Sequence, residues 1–93
     1  MKYTQTTLDK LETVLEETGY VLRYERGNFQ SGYCILDARK VVVLNKFLQT
    51  EGRINTMLDL IPLLEIKREL LSPESQKMYN NVMSRIELEN KPE

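Results

Sequence analysis

Lys40-Val41-Val42-Val43-Leu44-Asn45-Lys46 carries four apolar residues in a row between polar ends. A strand with one wet face alternates apolar and polar side chains. An unbroken run suits a strand covered on both faces, or one at a subunit contact. The run therefore predicts a strand over Lys40–Leu44. Upstream, Gly32 to Leu36 reads as another strand, joined to it by Asp37-Ala38-Arg39 as a short hairpin connection built around a type I turn. Earlier still the period is two. Tyr20, Leu22 and Tyr24 alternate with Val21, Arg23 and Glu25, the pattern of a half-buried strand, and Arg26-Gly27-Asn28 signals a turn. Phe29 to Ser31 reads as loop or as the start of the middle strand. Three consecutive strands with short links predict an antiparallel three-stranded meander.

Helical periodicity flanks the strands. Leu8, Leu11, Val14 and Leu15 share one stripe, and Thr6-Thr7-Leu8-Asp9 resembles a capping box. With Gly19 as a left-handed stop, a first helix is expected over Thr7–Thr18, with Glu12, Glu16 and Glu17 solvated. Downstream, Ile54, Met57, Leu58 and Ile61 repeat at helical spacing after Thr50, a fair N-cap. Pro62 ends or kinks that helix. Leu63, Leu64, Ile66, Leu70 and Leu71 predict a short apolar helical segment. Ser72-Pro73-Glu74 then opens a last helix, with a hydroxyl cap, proline at the first position and an acid in the first turn. Met78, Tyr79, Val82 and Ile86 carry it to about Leu88, with residues 90–93 expected to fray. The fold class is α+β in a single domain over 1–93: a meander with one helix before it and two or three after it.

The chain has 93 residues, and a core of that size is thin. Its 41% apolar share is too high for a disordered chain. The formal charge of −1 gives no global field toward nucleic acid or an anionic membrane. The N-terminus has no signal-like apolar run and no stretch has spanning length. The single cysteine, Cys34, has no internal disulfide partner. These features predict a cytoplasmic protein with no membrane partner.

The chain lacks histidine altogether. Proton-shuttling triads and structural zinc sites lean on imidazole and clustered cysteine. The glycines Gly19, Gly27, Gly32 and Gly52 are too scattered for a phosphate loop. The reading is a non-enzyme with no cofactor and no metal. Cys34 is expected as a small core hydrophobe. The alternative is a reactive thiol, activated by Arg23 or Arg39 on neighbouring strands.

Between Tyr20 and Arg53, six basic residues (Arg23, Arg26, Arg39, Lys40, Lys46, Arg53) face three acids, Glu25, Asp37 and Glu51. Tyr24, Phe29 and Tyr33 are interleaved with them. Cations among aromatics suit single-stranded nucleic acid, by stacking and phosphate contact, with Arg23, Arg26, Phe29, Arg39, Lys46 and Arg53 as contacts. The helices after Pro62, by contrast, carry more apolar surface than one small sheet needs. Leu63, Leu64, Leu70, Leu71, Met78, Tyr79 and Val82 are thus expected to meet a partner, most simply a second copy in a homodimer.

Ser31-Gly32-Tyr33-Cys34, a hairpin, Val41-Val42-Val43-Leu44-Asn45 and then Arg53-Ile54-Asn55-Thr56 opening a helix resemble the lead-in to the active-site helix of ImmA/IrrE-type zinc peptidases. In that family the helix carries His-Glu-x-x-His. Here it reads Met57-Leu58-Asp59-Leu60-Ile61-Pro62, so the resemblance implies at most a peptidase-like scaffold without metal, and no ligand or catalytic residue transfers. The whole chain is also similar to small bacterial proteins in which a Gly-Tyr-Cys strand precedes an apolar strand ending in Asn-Lys, here Asn45-Lys46. That similarity implies no function. Taken together, the primary expectation is a non-catalytic interaction or oligomerisation domain, with a nucleic-acid module as the alternative.

Overall fold

Helix α1 spans Gln5–Glu17 in the computed structural model, which describes residues 1–26, 33–36 and 40–90, with 33–36 and 86–90 described by backbone alone. The helix begins before the expected Thr7 because Thr4 is the cap, its Oγ1 accepting from the Thr7 amide at 3.3 Å. The stripe Leu8, Leu11, Val14 and Leu15 is buried. Gly19 ends the helix at φ +88°, a conformation that penalises any Cβ.

Strand β1 (Val21–Glu25) returns along α1 with its expected alternation: Val21, Arg23 and Glu25 face outward, Leu22 and Tyr24 inward. Strands β2 (Tyr33–Leu36) and β3 (Val41–Asn45) complete the sheet. The order is β1-β3-β2, and this overturns the antiparallel meander. β3 lies in the centre, parallel to β1 with Val21 opposite Val41, and antiparallel to β2 with Cys34 opposite Val43. Link length does not choose a strand's neighbour; burial does. The most apolar strand takes the position with a neighbour on each side, and the charged β1 takes an edge, where charge also discourages stray pairing.

Helix α2 runs Thr50–Leu60, with Gln49 at the cap position in place of Thr50. A 3₁₀ turn over Ile61–Leu63 absorbs Pro62. The helix expected over Leu63–Leu71 does not form. Leu64 is extended, a second 3₁₀ turn covers Arg68–Leu70, and Leu71 is extended again. Leu64 and Leu71 act as two separate buried anchors. Tyr20 ties the connection down by donating its hydroxyl to the Glu65 carbonyl at 3.3 Å. Helix α3 (Pro73–Asn90) starts at the Ser72 cap, whose Oγ accepts from the Ser75 amide at 3.3 Å. It extends past the expected end near Leu88, and residues 91–93 lie outside the described residues.

The decisive packing is around α1. It contacts β1, α2 and α3, so it buries more than one face. The acids expected in solvent report this. Tyr24 donates its hydroxyl to Glu12, and Glu17 accepts from the Ser72 amide at 3.1 Å, capping α3 from the neighbouring helix. Glu16 is the exposed one of the three. Because α3 has α1 to pack on, Leu64, Leu71, Met78 and Val82 are core residues of the single chain and are not available to a partner. Tyr79 is partly buried against that core, beneath the Arg68 guanidinium at 5.4 Å. Of the expected interface, Leu63 and Leu70 stay exposed, at 65% and 51%. Among the described residues no helix is long and apolar enough to cross a membrane.

Glu17 makes a testable pH sensor of α3 docking. Hydrogen bonds from Ser75 and Ser72 hold its carboxyl below the usual carboxylate value. A carboxyl whose folded value is depressed contributes stability above its unfolded value, and that contribution fades as pH falls through the folded one. Urea titrations across the acid range should show Glu17→Gln with a flatter acid limb than the parent chain. Equal limbs would mean that the cap contributes nothing.

Candidate ligand-binding rim

Parallel pairing sends β1 and β3 out of the sheet at the same end, with Glu25 opposite Asn45. Arg26 follows one strand and Lys46-Phe47 the other, so residues far apart in sequence meet there. Phe47 is 66% exposed, the largest value among the exposed large apolar side chains of the described residues. The Arg26 guanidinium stands 5.7 Å from its ring centroid and the Lys46 ammonium 5.6 Å. Both are cation–π distances, and both cations are themselves exposed.

The turn that presents Phe47 is held on both sides. The Phe47 amide donates to Asn45 Oδ1 at 3.0 Å, closing an Asx turn, and the Leu48 amide donates to the Asn45 carbonyl at 3.1 Å. Arg53, on the first turns of α2, reaches back. Its Nε donates to the Leu48 carbonyl at 2.9 Å and its Nη2 to the Lys46 carbonyl at 3.1 Å. The same guanidinium lies 4.2 Å from the centroid of Tyr24. Burial, then the hydrogen bond to Glu12 and that group's charge, raise the Tyr24 phenol above its ordinary value, so it stays a neutral donor.

The expected nucleic-acid contacts divide accordingly. Arg26, Lys46 and Arg53 come together at the rim. Arg23 is on the exposed face of β1, where it meets Glu25 at 4.0 Å. Phe29, Arg39 and the Cys34 side chain lie outside the described residues, and with them the question of a reactive thiol. Phe47, the central aromatic of the rim, was missed by sequence reading. It falls between a strand and a helix, outside any periodic pattern, and its one local signal is the adjacent Lys46. Among the described residues no group of three or more potential ligand side chains is placed to hold a metal ion.

A concave surface lies elsewhere, between α1 and the start of α3, as a groove of about 230 Å³ lined by Lys10, Thr13, Glu17, Ser72, Glu74 and Ser75. The free amides of the α3 N-terminus would favour an anion there, but Glu17 already occupies that role, and Lys10 is paired with Glu74 at 3.5 Å. The groove is a helix-docking contact, and the rim is the better candidate. Comparison with protein-family models, with curated proteins and with solved structures finds no match to this chain.

Proposed function

We propose that this chain is a non-catalytic binding domain of the reducing cytoplasm whose ligand is single-stranded nucleic acid, held at the rim. The observation that carries the reading is an exposed phenyl ring with two exposed cations within cation–π distance of it, on a turn fixed by hydrogen bonds. An unpaired base offers a π-face to Phe47, and the flanking phosphates meet Arg26 and Lys46. Along a duplex the base faces are covered by stacking on one another, so the interior of a duplex offers no such free face. The overall charge of −1 supplies no long-range attraction, so binding is local and strongly screened.

The test is anisotropy of a labelled oligothymidylate against salt. Neutralising two phosphates on a single strand gives a log–log slope near −1.4, at about −0.7 each. Phe47→Ala should weaken binding on the order of tenfold, since one base–aromatic stack is worth about 1–3 kcal/mol. Arg26→Ala or Lys46→Ala should each flatten the slope by about 0.7. No change in anisotropy at low salt would end this reading.

Self-association is a second reading, favoured by one observation: Leu63 and Leu70 are both exposed large apolar residues on the 3₁₀ connections. Light scattering decides it. A dimer split by Leu63→Asp with Leu70→Asp supports it, and a strict monomer at high concentration removes it.

A further inference from the structure

We infer that Arg53 is the positioning residue of the rim: it acts through the main chain on Phe47 and does not itself take a phosphate. The inference rests on the rim being the binding surface, and it reassigns a residue whose type and charge alone suggest a ligand contact.

Two of the five N–H donors of Arg53 are directed at the main chain. Nε and Nη2 are spent on the carbonyls of Leu48 and Lys46, which bracket Phe47. The guanidinium carbon itself lies 4.2 Å from the centroid of the Tyr24 ring. Tyr24 is in turn tied through its hydroxyl to Glu12 on α1. A chain of contacts thus runs from α1 through β1 to the turn after β3, and α2 supplies the guanidinium. A rigid fork can meet two carbonyls while its charge stays over a ring, which a single ammonium cannot do. With its flanking carbonyls pinned and its amide held by Asn45 Oδ1, the Phe47 side chain has one direction left, which is outward. A large apolar side chain held in water loses rotamer freedom without gaining burial. A pre-ordered platform recovers this when a partner stacks on it.

The experiment is a double-mutant cycle on the full chain, using Phe47→Ala, Arg53→Gln and the pair, with labelled oligothymidylate as probe. Arg53→Gln should weaken binding by a factor close to that of Phe47→Ala, on the order of tenfold. It should leave the salt slope unchanged. In the Phe47→Ala background it should cost no more than about twofold, because the residue it positions is gone. A slope flattened by about 0.7, with effects that multiply, would make Arg53 a phosphate ligand and overturn the inference. Limited trypsin cleavage after Lys46 gives a reading that needs no ligand. Cleavage should be faster in Arg53→Gln than in the parent chain while thermal unfolding stays cooperative, since the turn opens locally. Unchanged cleavage would overturn the positioning role whether or not the oligonucleotide binds. Absent binding with accelerated cleavage would instead fault the nucleic-acid reading and leave the positioning role standing.

Discussion

Leu44→Ala should remove about 2–5 kcal/mol of folding free energy, the range for truncating a fully buried leucine. Leu44 is 0% exposed in the middle strand. It stands in register between Tyr24 of β1 and Tyr33 of β2 and belongs to the core shared by sheet and helices. Nothing on either side can close the space without moving a paired strand, so the loss includes a cavity and not only a transfer term. Domains of this kind are stable by about 5–15 kcal/mol in total. The melting temperature should therefore fall by at least roughly 10 °C. The control is Leu63→Ala, an exposed leucine, where a change within about 0.5 kcal/mol is expected for a monomer. Chemical denaturation of the two variants under one set of conditions checks both. A small effect at Leu44 would show that the strand is not central to the core. A large one at Leu63 would show that this side chain is covered, which is the signature of self-association.

Proline scanning of β3 should strongly destabilise the fold at two successive positions, and this is the sharpest test of the strand order. In the observed sheet the Val21 amide donates to the Lys40 carbonyl at 2.8 Å and the Lys46 amide to the Glu25 carbonyl at 3.0 Å. Even-numbered residues of β3 therefore turn their backbone groups to β1, and odd-numbered ones to β2. Val42→Pro removes a bond on one side and Val43→Pro a bond on the other. Each also leaves a buried carbonyl unpaired and pushes a ring toward a neighbour, a combined loss of at least about 3 kcal/mol. In a meander β3 would be an edge strand, and one of the two prolines would point its missing donor at solvent. Circular dichroism melts distinguish the cases. Two variants with strongly lowered or lost melts agree with the order β1-β3-β2, and one variant that melts close to the parent chain would refute it.

The elements themselves were largely readable because local rules act within a few residues. The stripe from Leu8 to Leu15, the glycine stop, the alternation in β1, the apolar run of β3 and the Ser72-Pro73-Glu74 helix start all occupy their expected places. The boundaries that moved did so for local reasons, such as Thr4 outcompeting Thr6 as the cap. The stretch from Leu63 to Leu71 is different. Its leucines are apolar enough for a helix, yet after Pro62 the chain does better by burying two of them singly than by presenting one stripe.

The candidate site was legible only in part. Arg26, Lys46 and Arg53 were picked out by charge, but charge alone treated them as equivalent. The structure separates two exposed cations from one that gives two donors to the main chain, and it puts Phe47 beside the exposed pair. No periodicity marks a residue that sits on a turn, and its meaning comes from what the parallel strands deliver beside it.

By itself, then, the amino-acid order determined which segments are helix or strand, where most of them stop, and which side chains are candidates for the interior. Those properties depend on spacing, capping and backbone sterics over a few neighbours. Only the tertiary structure decided that β3 lies between β1 and β2, that α1 has enough buried surface to hold α3 as well as the sheet, and that Arg26 and Phe47 meet. These outcomes are competitions between distant surfaces for the same burial, and no local rule contains the result.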